Sequence, residues 1–274
     1  MSGFSLGLFI RHPGLAFGTA AIGLMLLAAV FAPLPYDPVQ PSPDVLSPPS
    51  AKHPFGTDRS GFDVMSRTIV SAGRDLPLAL AGTLASVLIG VPLGLVASTK
   101  GKSGERTMRA LDAFQAFPLL VLAIAVVTLT GNRLENVIFA IAIINVPRFM
   151  RLVRSEVLPM RESRFVEAAL AIGASPLRMM FRHLLPNVTS IILVQCSLSA
   201  ANAIVVIASL SFLGIGVSPP EATWGTMIQS GAPNMSTGQW WVVAFPGLAV
   251  FLAVACLNLI ADGLSDVTRS AARA

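Results

Sequence analysis

LPLALAGTLASVLIGVPLGLVAST, Leu76–Thr99, runs for 24 residues without Asp, Glu, Lys or Arg. A helix needs about 20 mainly apolar residues to cross a bilayer, and this run supplies them. Four more charge-free runs accompany it: Gly14–Tyr36, Ala113–Asn132, His183–Pro220 and Ala222–Ala261. The chain of 274 residues is 54% hydrophobic and 12% charged, with a mean hydropathy of +0.72. That is roughly half the charge of an ordinary soluble domain. Backbone polar groups in lipid must bond within their own segment, so spanning segments are expected to be helices. The fold class is all-α, a polytopic membrane protein.

Six spans are expected, at about 14–34, 77–98, 112–131, 134–153, 188–212 and 240–261. In the fourth, only Asn136–Pro147 is free of charge, so Arg148 and Arg151 are expected to snorkel to the interface. Arg11 before the first run, with Val30-Phe31-Ala32 after it, resembles a secretory signal. The run of about 20 residues is longer than a signal core, so a retained helix is expected.

The Lys/Arg bias sets the orientation. Fourteen of the 19 Lys and Arg fall in one set of loops, including Lys100, Arg106, Arg154, Arg164, Arg178, Arg182 and Arg269. The other five are Lys52, Arg59, Arg67, Arg74 and Arg133. Both termini and the segment around Glu167 are therefore expected in the cytoplasm. This bias accounts for the net charge of +5 without nucleic acid. Cys196 and Cys256 sit in expected spans, with no neighbouring His or Cys, and suit apolar packing better than a metal or disulfide.

The chain divides accordingly. Residues 1–34 form a cytoplasmic N-terminus and the first span. Residues 35–76 form an external loop, rich in proline, with a short helix near 63–74 that lies on the membrane surface or packs on the spans. Asp63 is its expected cap. Gly56-Thr57-Asp58 and the following Arg59-Ser60-Gly61 read as turns, not as a calcium loop, because no Glu closes the ligand set. Residues 77–266 form a five-helix core and 267–274 a tail.

Within the core, Gly82, Ser86, Gly90, Gly94 and Ser98 recur every fourth residue. Such a face of small residues lets two helices approach closely in lipid. Gly101-Lys102-Ser103 looks like the end of a phosphate-binding loop. The required glycine is absent, since position 96 is Val96, and a membrane helix precedes the segment instead of a strand. No ATP site and no catalytic constellation is legible.

The charged island at 154–186 contains Glu167-Ala168-Ala169-Leu170-Ala171-Ile172-Gly173-Ala174 and ends at Leu185-Pro186. Ser163 is expected to cap a helix that Gly173 ends in a left-handed conformation. Ser175-Pro176 restarts a second helix, expected to stop before Pro186. Such a surface is either a docking element or a solvated loop at the headgroups.

In the fifth span, Gln195, Ser199, Asn202 and Ser209 share one helical face. The stripe either lines a passage or makes interhelical hydrogen bonds. Trp224, Trp240 and Trp241 are placed as interfacial anchors, and Asn258 and Asp262 are expected to close the sixth span.

Several segments together carry a resemblance: His53-Pro54-Phe55-Gly56-Thr57-Asp58, the Glu167–Pro186 island, Phe181–Asn187, Ser211–Val217 with Pro219-Pro220 and Trp224-Gly225, and Asn258 to Leu264. From about residue 53 to 266 the chain resembles permease subunits of the dipeptide/oligopeptide/nickel branch of ABC importers, and more narrowly the second of the two subunits. The resemblance implies a type I importer permease fold in a bacterial inner membrane. It implies four further partners: a homologous permease, two ATPase subunits that hold ATP and Mg, and an external solute-binding protein. This chain would bind no cofactor. Glu167, Ala168, Ala169, Gly173, Ala174, Leu185 and Pro186 would couple it to the ATPases. Gln195, Ser199 and Asn202 become pathway candidates, and Gly56, Thr57, Asp58 and Trp224 external-loop candidates. Phe62, Ala261 and Ser265 depart from the family pattern, at positions where Arg, Gly and Arg are usual.

Peptides are the first expectation for substrate and nickel or a metal chelate the second. The rival from another class, an ion-coupled secondary transporter, needs ionisable groups at mid-membrane, and none falls at the centre of the confident spans.

Overall fold

The computed structural model describes residues 12–98, 102–217 and 220–273; Arg11, Gly101 and Pro219 lie outside these. Nine helices organise the described residues: α1 Pro13–Phe31, α2 Val64–Ala97, α3 Lys102–Gln115, α4 Leu119–Thr130, α5 Leu134–Met160, α6 Arg164–Ala171, α7 Pro176–Phe212, α8 Trp224–Gly231 and α9 Trp241–Arg273. A single isolated bridge, Thr57 to Asp63, is the only β pairing among the described residues.

Five helices, α1, α2, α5, α7 and α9, are long and apolar enough to cross a membrane. The third expected span, 112–131, is not one rod. It is split between α3 and α4, whose axes differ by 88°. Pro118 explains the break: it cannot donate a helical hydrogen bond and disfavours helical geometry at Phe117 before it. Counted as one bent element, α3 and α4 bring the spans to six.

Two further boundaries differ from the sequence reading. The short helix expected near 63–74 is the first part of α2, which runs unbroken through Pro77 and Pro92. Asp63 does cap it, accepting from the Ser66 N–H at 2.8 Å. The opening turns pack inside the protein: Val64, Ser66, Thr68 and Ser71 are all buried. At the other end of the chain, α9 continues past Asn258 and Asp262 to Arg273.

The small-residue face of α2 meets α5. A Cβ on Gly82 would stand 2.6 Å from the Ile141 side chain, one on Gly90 2.8 Å from the Val146 carbonyl and one on Gly94 2.8 Å from the Met150 carbonyl. Ser98 completes the row, its hydroxyl accepting from Arg161 Nε at 3.2 Å. Backbone contact over this length accounts for the close α2–α5 pairing. In the same way Gly18 of α1 and Gly263 of α9 allow α1 to lie on α9.

One apolar cluster, including Leu76, Ile141, Ile204, Leu210, Trp224 and Ala253, joins α2, α5, α7, α8 and α9. Leu24, Leu27, Val30, Leu84, Leu88 and Phe251 stay exposed on outward faces. In a membrane such faces are solvated by hydrocarbon.

Candidate functional site

The Glu167 segment is built as a bend between α6 and α7. Ser163 stands at the N-terminus of α6, but its hydroxyl donates to the Met160 carbonyl and caps no N–H. Gly173 ends α6 with φ +82°, a conformation that costs glycine nothing. Ser175 then caps the next turn, accepting from the Arg178 N–H at 3.3 Å, with Pro176 first in the helix.

The second helix of the island does not stop before Pro186. It widens into a π-helical stretch, Met179–Leu184, and continues as Leu185–Phe212. Pro186 falls in the first turn after the wide stretch, where its missing N–H and its ring are tolerated.

Val166, Ala169, Met179, Met180 and Leu184 face inward on Val91, Leu95, Phe149, Val153 and Val157. The bend is thus packed on α2 and α5. Its outer surface is apolar: Ile172 is 87% exposed, and Leu170, Leu177 and Phe181 are exposed beside Glu167, Arg178 and Arg182. Of the seven candidate coupling residues, Glu167, Ala168, Gly173 and Pro186 are exposed, Ala174 and Leu185 half-buried, and Ala169 buried.

The polar stripe of α7 turns toward protein. Gln195 Nε2 donates to Ser199 Oγ at 3.1 Å, and Ser199 is fully buried. With its amide oxygen toward donors, Asn202 accepts from Arg148 of α5 at 3.0 Å. Ser209 bonds only back to the Val205 carbonyl, at 2.8 Å. Arg148, expected to snorkel, turns its guanidinium to amides of α5 and α7. It is half-buried, and its guanidinium also donates to Asn145 Oδ1 at 3.3 Å. Arg151 is exposed and pairs with Asp112 at 2.7 Å and Gln115 at 2.6 Å.

The Pro-rich loop is held by polar contacts. Gly56 has φ +74°, and a Cβ there would stand 2.6 Å from the Trp241 Nε1. Thr57 is buried and accepts from the Ser47 N–H at 2.9 Å. Asp58 accepts from the Ser60 and Phe62 N–H groups at 2.8 and 3.0 Å and faces Arg67 at 3.6 Å. His53 is buried between Asp63 at 2.9 Å and Asp44 at 3.3 Å, with Tyr36 stacked on its ring. Lys52 pairs with the same Asp44.

Two of the three expected interfacial tryptophans are core residues. Trp224 and Trp241 are buried, while Trp240 is exposed. Each buried indole finds a carbonyl, Thr68 for Trp224 at 2.9 Å and Thr57 for Trp241 at 3.1 Å. A satisfied N–H lets the whole ring leave the interface.

Asp75 was missed by placing the span boundary at residue 77. It lies inside α2, is buried, and accepts from the Trp224 N–H at 2.9 Å, which anchors the start of α8. Among the described residues no cluster of His, Cys, Asp or Glu has metal-binding geometry.

A bundle of apolar helices, with a bent charged island at one end and polar groups on its inner helix faces, defines a multi-pass all-α membrane protein of permease type. The family described as the binding-protein-dependent transport system inner membrane component matches residues 68–273, and the chain belongs to it. It is 39% identical over 268 residues to the di/tripeptide transport system permease protein DppC of Pseudomonas aeruginosa, covering 94% of this chain and 88% of the relative. The dipeptide transport system permease protein DppC of Alkalihalophilus pseudofirmus is 39% identical over 254 residues, 91% of this chain and 83% of the relative. The glutathione transport system permease protein GsiD of Escherichia coli is 39% identical over 259 residues, 90% and 84% respectively.

Proposed function

We propose that this protein is the membrane-spanning permease subunit of an ATP-driven importer of short peptides, forming half of the translocation pathway. The observation that carries the peptide reading is the set of relatives named for di- and tripeptides and for glutathione, itself a tripeptide, over about nine-tenths of the chain. In this reading the chain sits in the bacterial inner membrane, with both termini and the 154–186 segment in the cytoplasm, as the Lys/Arg bias supports.

In this reading the α6–α7 bend is the coupling element. Its exposed apolar residues, Leu170, Ile172, Leu177 and Phe181, supply the buried centre of an interface, and Glu167, Arg178 and Arg182 supply a charged rim. Ala168 and Ala174 keep the surface narrow, Ala169 packs the helix inward, Gly173 makes the bend, and Leu185-Pro186 root it in α7. Two ATPase subunits hold ATP and Mg and dock there. A homologous permease completes the pathway, and Gln195, Ser199 and Asn202 belong to the wall that moves when it opens. A solute-binding protein docks on the opposite end, near the loop held by Gly56, Thr57 and Asp58 and near the start of α8 at Trp224. This chain performs no ATP chemistry.

Purification in mild detergent from the native membrane tests the reading. The expected result is co-purification of two ATPases and a second permease, with a short peptide held by the accompanying binding protein. An intact membrane complex without any ATPase overturns it; a metal or chelate on the binding protein overturns the peptide assignment alone.

A further inference from the structure

Arg148 is a half-buried guanidinium near the middle of helix α5. Roughly 20 Å of α5 lies on either side of it at 1.5 Å per residue. Its two protein partners, Asn145 Oδ1 and Asn202 Oδ1, are neutral amides on α5 and α7. Asn145 is itself buried. No carboxylate among the described residues forms an ion pair with Arg148, whereas its neighbour Arg151 is neutralised by Asp112. A charge in a spanning segment is costly and persists where it faces water or a ligand.

Arg148 also faces space. Together with Arg151, Gln115, Phe117, Leu122 and Ile144 it lines a cavity of about 550 Å³ at the elbow between α3 and α4. That size is within the usual range for small-molecule sites. The amides orient the guanidinium without cancelling its charge. The ligand chemistry that supplies both the missing charge and two coplanar acceptors is a carboxylate. A metal cation is repelled by the same group.

We propose that Arg148, held by Asn145 and Asn202, is a carboxylate-binding station in the translocation pathway that receives the free C-terminal carboxylate of the transported peptide. The assignment rests on the peptide-importer reading. Arg148 is the binding residue; Asn145 and Asn202 are positioning residues. Contact with both α5 and α7 ties the station to α5, on which the α6–α7 bend packs, and to α7, which runs out of that bend, so movement there changes the geometry around the guanidinium.

The test uses the whole complex, purified with its ATPases and reconstituted in vesicles with the binding protein. Uptake is compared for one dipeptide with a free C-terminus and the same dipeptide C-terminally amidated, each saturating the binding protein. Arg148→Gln is expected to slow the free-carboxylate peptide about tenfold or more, the size of a lost charge-assisted hydrogen bond. The amide is expected to change little, and Arg148→Lys to fall between.

Asn202→Asp supplies a second variant that keeps the cation paired if Arg148→Gln fails to assemble. Its new carboxylate occupies the guanidinium, and the same selective loss is expected. Equal slowing of both peptides, or of neither, overturns the station while leaving the importer reading in place. An unaltered complex that carries neither peptide overturns the peptide reading, and this assignment with it.

Discussion

Trp241 donates its indole N–H to the backbone carbonyl of Thr57 at 3.1 Å, joining the start of α9 to a loop 184 residues earlier in the chain. Both residues are buried. In Trp241→Phe the carbonyl is left without this donor, at an expected cost of about 1–3 kcal/mol. The purified protein should melt at lower temperature, and protease should cut residues 35–62 sooner. An unchanged melting point together with unchanged cleavage would show that the bond contributes nothing.

Gly90 and Gly23 make a matched pair. A Cβ on Gly90 would stand 2.8 Å from the Phe149 Cβ and the Val146 carbonyl, whereas one on Gly23 meets nothing within 4 Å. Gly90→Ala is expected to destabilise by about 1–3 kcal/mol through overpacking. Gly23→Ala should be neutral or slightly stabilising, since alanine favours the helix. Thermal unfolding of the two variants in one detergent decides this; equal midpoints would contradict the α2–α5 packing.

Gly173 and Ile172 probe the proposed coupling surface by different routes. Proline cannot adopt φ +82° and removes the N–H that Gly173 donates to the Leu170 carbonyl at 2.9 Å. Ile172→Asp keeps the backbone and charges the most exposed apolar side chain of the bend. Both variants should insert normally, yet lose ATP-driven uptake by about tenfold or more, as expected for an interface centre. Normal uptake by both would remove the coupling role.

The Pro-rich loop should weaken in acid. The Asp44 carboxyl is held below its ordinary value of 3.8 by hydrogen bonds from Lys52 first and His53 second. A carboxylate depressed in this way contributes stability above its unfolded value, and the contribution fades as pH falls through the lower folded value. Protease resistance of residues 35–62 should therefore hold from neutral pH to about 4 and decline below it. Asp44→Asn should flatten that decline, and an identical acid profile in the variant would exclude Asp44 as its source.

Much of this architecture was readable because lipid simplifies the problem. Charge-free length marked the long helices, and the Gly82–Ser98 row marked the tight α2–α5 contact, since only small side chains allow it. The elbow at Phe117-Pro118 was not readable. Pro77, Pro92, Pro147 and Pro246 all lie within unbroken helices, so proline alone does not announce a break. Trp224 and Trp241 were misplaced because interfacial preference describes rings whose N–H needs water, and here Thr68 and Thr57 replace it. The polar stripe of α7 was visible, but its Arg148 partner on α5 was not, because nothing in one helix reports the register of another. Likewise Pro186 looked like a stop until the π-helical stretch before it changed the local register.

That last feature alters what a movement at the bend would do. Pro176–Phe212 forms 37 residues of continuous helix, about 55 Å at the standard rise. A pivot near its middle leaves an arm of roughly 27 Å on each side. A tilt of only about six degrees would then carry either end some 3 Å in opposite directions by the same geometry. Had the chain stopped at Leu185, as a break before proline would require, a push on Ile172 would have been absorbed by a joint. With no break in the helix, a rigid α7 would act as a seesaw: a small displacement at its Pro176 end would reappear, reversed, beside Phe212.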